Sequence, residues 1–325
     1  MTVAILGIDI AKGSFQVSLC QAGKKYNRTF RNEAKGFATL DKWLTKHEAE
    51  QLHACMEATG RYWEELAWHL HQGEHTVSVV NPARIHNYAK SKLTRNKTDK
   101  LDAQLIADYC ATQHPATWTP PPPEVRELQA LVRHLEDVQQ IHNQESNRLG
   151  SGVPAATVCE MLQKHVAFLD AQLEDLQQQI EDHIDRHPGL KQQSELLASI
   201  PGIGTLTAAK LLGENIQSFS STRALAAYAG LNPQHGDSGS SVRRKPRLSK
   251  VGNSALRKAL YFPAISAKSH NPVIKAFCER LKERGKQTMV IIGAAMRKLL
   301  CLALGVLKSG QPFDPNYVHR TGGAI

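Results

Sequence analysis

Residues 3–9, VAILGID, form an apolar run that stops in a carboxylate. The alternating stretches FQVSLC at 15–20 and KYNRTFR at 25–31 follow after short breaks. Three such runs with tight connections predict an antiparallel hairpin sheet. Phe37, Leu40 and Leu44, with Trp43 beside them, predict a helix over 34–47. HACMEATG at 53–60 reads as a fourth strand ending near Glu57. YWEELAWHLHQG at 62–73 reads as a helix closed by Gly73, and TVSVVNP at 76–82 as a fifth strand halted by Pro82. A further helix is predicted near 99–112. The order βββαβαβ predicts a mixed α/β sheet with helices on its faces.

TPPPPEV at 119–125 interrupts this pattern, because four successive prolines continue neither a helix nor a central strand. Beyond it, Leu128, Leu131, Leu135, Val138 and Ile141 recur at steps of three and four. The spacing breaks at GSGVP, 150–154, and resumes with Leu162, Val166, Leu169, Leu173, Leu176 and Ile180. This is coiled-coil spacing and predicts a helical arm, paired either within the chain or with another subunit. SELLASIPGIGTLTAAKLLGEN, from 194, predicts helix, tight hairpin, helix. Gly202 and Gly204 let the backbone turn and leave N–H groups near a helix start that suit a phosphate. This stretch resembles the helix-hairpin-helix module, which grips the DNA backbone. Another short helix is predicted at 225–231, then a basic loop over 232–253. Helices follow at 254–266, 272–284 and about 287–307. The expected division is 1–118 for the α/β domain, 119–190 for the spacer and arm, and 191–325 for a mainly helical C-terminal domain.

Charge changes the picture because it is uneven. From Arg223 onward there are 18 Lys/Arg against 4 Asp/Glu, although the whole chain of 325 residues carries only +10. An excess that local marks a polyanion-binding surface and favours nucleic acid as the partner. The arm is different, with 12 acidic and 5 basic residues between 124 and 187. No run of 18 apolar residues predicts a membrane span. The six cysteines stand singly, which predicts reduced thiols in a cytoplasmic protein.

Two carboxylates, Asp9 and Glu57, close apolar strands. Two more, Asp99 and Asp102, sit at i and i+3 in RNKTDKLDAQLIADYC, on one helix face if Thr98 is the cap. Four like charges in one place repel, and hard divalent cations relieve that cost. Two Mg²⁺ ions are the expected cofactors, in an arrangement that serves phosphoryl transfer.

Asp9 in GIDIAK, Glu57 in EATG, and Asp99 with Asp102 in RNKTDKLDA resemble the DEDD transposases of bacterial insertion sequences. IPGIG, AYAGL, SGSSVR with LSKVGN, and GVLKSGQPFD are similar to the second domain of the same family. The resemblance spans almost the whole chain. It implies an RNase H-like, Holliday-junction-resolvase-like N-terminal domain with Asp9, Glu57, Asp99 and Asp102 as catalytic metal ligands. It further implies a site-specific, RNA-guided recombinase in which a C-terminal serine attacks a DNA phosphate and forms a phosphoserine link. The residues alone leave Ser238, Ser240 and Ser241 open as nucleophile, and matching to the family pattern implies Ser238. Arg243, Arg244, Lys245, Arg247 and Lys250 then hold the backbone near the scissile phosphate, with Arg95 and Lys97 approaching it. The implied partners are donor and target DNA, a structured guide RNA, and further copies of the chain as a dimer and a synaptic tetramer, at the nucleoid. The competing readings are a metal-dependent Holliday-junction-type endonuclease that needs only water as nucleophile, a non-catalytic nucleic-acid scaffold, and a sugar-kinase-like ATPase.

Overall fold

The computed structural model describes residues 4–92, 98–152, 155–238 and 242–316; over 235–238 and 242–246 it describes the backbone alone. The chain divides into two compact units, Met1–Pro120 and Pro121–Ile325.

Unit 1 is the mixed sheet that the pattern predicts. Strands β1 (Ala4–Ile10), β2 (Ser14–Gln21), β3 (Lys24–Arg31), β4 (Leu52–Glu57) and β5 (Thr76–Val80) lie in the order β3-β2-β1-β4-β5. The first three are antiparallel, while β1–β4 and β4–β5 are parallel. Helices α1 (Ala34–Lys46) and α2 (Glu64–Gln72) cover one face. There Leu6, Ile8, Val17, Leu19 and Met56 pack with Leu40, Leu44, Leu66 and Leu70. Burying each such side chain contributes about 1.5–3 kcal/mol.

The other face carries α3 (Pro82–Ser91) and α4 (Asp99–Gln113). Pro82 was expected to stop a strand and nothing more. It follows the end of β5 at Val80 and also opens α3, with the Asn81 side chain accepting from Ala83 N at 2.8 Å. A proline at the first helical position forfeits no hydrogen bond, because that N–H has no intrahelical partner. Helix α4 lies so close to β1 that a methyl group on Gly7 would stand 2.2 Å from the Ala103 carbonyl oxygen and 2.3 Å from Ala107 N. Only glycine fits there.

Unit 2 is largely helical. Helices α5 (Pro123–Gly150) and α6 (Ala156–Arg186) form a long hairpin. Val125, Leu128, Val132, Leu135 and Val138 share its core with Leu169, Leu173, Leu176, Ile180 and Ile184. That core continues through α7 (Pro188–Ala198), α8 (Thr205–Gly213), α9 (Thr222–Tyr228), α10 (Ser254–His270), α11 (Pro272–Glu283) and α12 (Thr288–Ser309). By length and composition α12 could cross a membrane, yet Ile291, Met296, Leu299, Leu300 and Leu304 are buried in this core.

The basic stretch 232–253, expected as a loop, is instead a β-hairpin of β6 (Pro233–Ser238) and β7 (Val242–Leu248), with a register slip between Gln234 and Gly236. PQHGDS and VRRKPRL lack apolar alternation, so backbone pairing alone defines these strands. Pro246 is tolerated because a two-stranded ribbon has only edge strands.

Gly7→Val should destabilise unit 1 by about 1–3 kcal/mol or more through overpacking against α4. Gly13→Ala, where a Cβ meets nothing within 4 Å, should stay within about 0.5 kcal/mol. Denaturant midpoints measure both, and equal shifts would refute the close-packing account.

Candidate active site and nucleic-acid surface

The residues level with Gly7 across the sheet, from β3 to β5, are Asn27, Ser18, Gly7, Cys55 and Ser78. All five are small or polar, and this row lies on the α4 side. Gln104 Nε2 of α4 donates to Asn27 Oδ1 at 3.2 Å, and the free thiols of Cys110 and Cys55 share a hydrogen bond. Side chains alternate along a strand, so the next row on this face lies two residues further on. It comprises Thr29, Gln16, Asp9, Glu57 and Val80. The parallel register pairs Ile8 with Met56, which makes Asp9 and Glu57 the next neighbours. Adjacent strands are about 4.8 Å apart.

The direction of α4 completes the arrangement. Ala103 and Ala107 lie over Gly7, while Cys110 reaches Cys55 and His53 nearer the start of β4. The helix therefore runs against β1 and β4. From Ala103 back to Asp99 is about 6 Å at 1.5 Å per residue, and from Gly7 on to Asp9 is about 6.6 Å. The first turn of α4, with Asp99 and Asp102, is thus level with Asp9 and Glu57. Thr98 caps the helix by accepting from Leu101 N at 3.3 Å. Asp99 is exposed, whereas Asp9, Glu57 and Asp102 are half-buried. The Cys110 contact, burial and the nearby Glu57 charge together push the Cys55 thiol well above its ordinary value.

This donor set suits a hard divalent cation, because all four groups supply carboxylate oxygen. Among the described residues, however, no three His, Cys, Asp or Glu side chains converge closely enough to hold a metal ion. The topology gathers the four carboxylates at one end of the sheet without drawing them into a finished ligand shell.

Helix α3 is tied to α4 through side chains. Tyr88 O–H donates to Asp108 Oδ2 at 2.8 Å, and Lys92 Nζ lies 3.2 Å from the same oxygen. Burial raises the Asp108 carboxyl, but these two hydrogen bonds outweigh it and hold the group below its ordinary value. Arg95 and Lys97 lie outside the described residues.

In unit 2 the motif residues hold the hairpin by its base. Gly230 and Gly252 have φ of +66° and +137°, and a Cβ on Gly252 would lie 2.1 Å from the Tyr228 carbonyl oxygen. Asn253 N donates to that carbonyl at 2.7 Å, Lys250 N to Gly230 O at 3.1 Å, and Ser249 N to Asn232 O at 2.9 Å. Arg257 Nη1 donates to the Ala229 carbonyl at 2.9 Å. Behind this lies Glu214, whose carboxyl burial raises, against the pull of Arg133 and hydrogen bonds from Asn253 and Tyr228. Burial of the Tyr228 hydroxyl, then the Glu214 charge, push that phenol up to about 12.

Arg247 and Lys250 are exposed; of Arg243, Arg244 and Lys245 only the backbone is described. Ser238 ends β6 opposite Val242, its side chain is not described, and Ser240 and Ser241 lie outside the described residues. Gly202, at φ +105°, is demanded by packing, since a Cβ would meet Ala267 of α10 at 2.7 Å. Gly204 begins α8 with open space where a Cβ would stand. Sequence reasoning missed Gly7, although its place two residues before Asp9 was a usable signal.

Residues 6–153 match the family model of the IS110-type DEDD transposases, described as "Transposase". Residues 194–279 match the "Transposase IS116/IS110/IS902 family". The chain is 37% identical to the "Pilin gene-inverting protein" of Moraxella bovis over 320 residues, 97% of this chain and 98% of that protein. It shares the same 37% identity, with the same coverage, with the protein of that name from Moraxella lacunata. It is 27% identical to the "Transposase for insertion sequence element IS1328" of Yersinia enterocolitica over 79% of this chain and 82% of that one. These findings correct one expectation. The match over the acidic-residue domain, together with its resolvase-like fold, points to DEDD two-metal chemistry, not to a serine attack through a phosphoserine intermediate. The endonuclease reading fits the domain better.

Because its charged form is favoured in the folded state, Asp108 contributes stability above the ordinary carboxylate value of about 3.9 and loses it as pH falls through the lower folded value. Asp108→Asn should therefore lower Tm at neutral pH, and the gap to the wild type should close on acidification below that value. Thermal melts across pH test this; a gap that widens in acid would refute it.

Proposed function

The chain belongs to the IS116/IS110/IS902 family of transposases, and from that premise we propose that its reaction is metal-dependent cutting of DNA strands by the carboxylates of unit 1. This is the chemistry of a junction-resolving endonuclease, used here as the cleavage step of transposition and recombination. One observation carries the reading. Asp9 and Glu57 end neighbouring parallel strands, level with Asp99 and Asp102 in the first turn of α4.

In this reading Asp9, Glu57, Asp99 and Asp102 hold two Mg²⁺ ions. When bound, such ions polarise a phosphodiester and offset charge on its attacking and leaving oxygens. The chain's own groups do the rest. The half-buried carboxylates present hard oxygens from a rigid sheet end, and the positive N-terminus of α4 lessens their mutual repulsion. Arg95, Lys97, Arg243, Arg244, Lys245, Arg247 and Lys250 hold backbone phosphates, as do the N–H groups beyond Gly202 and Gly204. The excess of 18 basic over 4 acidic residues from Arg223 onward supports that role. The chain's partners are donor and target DNA, a structured RNA, and further copies of the chain as a dimer that pairs into a tetramer, acting in the cytoplasm at the nucleoid. The Moraxella relatives, named for inverting a pilin gene, support strand exchange that ends in inversion as well as in movement of a segment.

Asp9→Asn, Glu57→Gln and Asp102→Asn, each in the full chain, should cut a branched DNA substrate on the order of 10²–10³-fold more slowly. Duplex binding should be retained. Chelation should abolish cutting, and added Mg²⁺ should restore it. Cutting that survives chelation, or an Asp9→Asn chain that cuts at the wild-type rate, would overturn the proposal.

A further inference from the structure

Helix α10 buries Leu256, Leu260, Ala264 and Ala267 in the core of unit 2. Its opposite face carries Lys258, Phe262, Ile265 and Ser269 at steps of four, three and four, with Ser266 alongside. Phe262 is 75% exposed, the most of any large aromatic among the described residues. Tyr261, itself packed against the core, braces it edge-on with centroids 5.3 Å apart and planes at 79°.

We propose that Phe262 is a stacking platform for one unpaired base of the bound nucleic acid, with Lys258 and the hydroxyls of Ser266 and Ser269 gripping the adjoining backbone. The ring offers an open π-face, which any base can cover regardless of sequence. Lys258 stands one turn away on the same face, within reach of a phosphate flanking a stacked base. Charge decides between a polyanion and a second copy of the chain. Helix α10 holds no Asp or Glu over Ser254–His270, and its charged residues are Arg257, Lys258 and Lys268. Two such faces repel each other, while a phosphate chain complements them. The interior of a duplex hides the faces of its bases, so the occupant is an unpaired or terminal nucleotide. The geometry accepts DNA and RNA equally.

This inference rests on the nucleic-acid reading above but is measured by affinity rather than by cutting, so the two can fail separately. The test uses the full chain and fluorescence anisotropy with a labelled oligo-dT strand of about 20 nucleotides, long enough to span a binding site, and a duplex of the same length. Phe262→Ala should weaken single-strand binding about 5- to 100-fold. Duplex binding should be unchanged, and Phe262→Trp should restore the single strand. The salt dependence of Phe262→Ala should match the wild type, while Lys258→Gln should lower its slope by about one. Single-strand affinity that is unchanged in Phe262→Ala would overturn the platform and leave the carboxylate reading standing. So would equal losses on strand and duplex with altered sedimentation, which would make this face a contact between copies. A wild-type chain that binds neither probe would overturn both readings.

Discussion

At Gly7 the backbone of α4 rests on the backbone of β1, with the Ala103 carbonyl and the Ala107 amide where a side chain would otherwise be. The placement of the carboxylates follows from that contact. A helix held away by ordinary side chains would lift its first turn off the sheet, and Asp99 and Asp102 would not lie level with Asp9 and Glu57. The row Asn27, Ser18, Gly7, Cys55 and Ser78 serves the same end, since it keeps large side chains off the floor on which α4 lies. The opposite face has no such demand and is filled with Leu, Ile, Val and Met against α1 and α2. One face of the sheet supplies stability, and the other supplies close approach.

Close approach has an electrostatic cost. Carboxylates brought close together raise one another's energy in the ionised form, the more so away from water, and Asp9, Glu57 and Asp102 are half-buried. The start of α4 offsets part of this through its free N–H groups. Among the described residues these carboxylates do not converge into a group that holds a metal ion. Ligands already drawn into van der Waals contact would repel too strongly to be stable without the ion.

The elements of unit 1 were legible because their signals are local. Alternation marks β1, β2 and β4, and the Leu40–Leu44 spacing marks α1. Helix α3 was hidden because Pro82 reads equally as a strand stop and a helix start, and only the Asn81 cap decides. The hairpin β6–β7 was hidden because Arg243, Arg244 and Lys245 carry no burial pattern. The carboxylates were legible as residue types, and Thr98 as their helix cap. Their common level was not, since it depends on a parallel register of Ile8 with Met56 and on the direction of α4. Both are tertiary facts. The serine reading came from a motif resemblance, and the match over the acidic-residue domain overturned it.

Unit 2 shows how a motif can be diagnostic without being chemical. Tyr228, Gly230, Gly252 and Asn253 belong to the segments that most resemble the family, yet their contacts are with one another. They join the end of α9 to the start of α10, with Glu214 half-buried behind them. Gly252 is required because the Tyr228 carbonyl occupies the space of a side chain, and Gly230 and Lys250 take positive φ to close the base of the hairpin. This network anchors a ribbon whose far part carries the arginines. The anchor has to be rigid for a reason of charge. Arg243, Arg244, Lys245 and Arg247 are adjacent like charges, and without the backbone pairing of β6 with β7 their repulsion would favour an extended, wandering strand. Paired and anchored, the backbone of β7 keeps one register with β6 along the stretch that carries these residues.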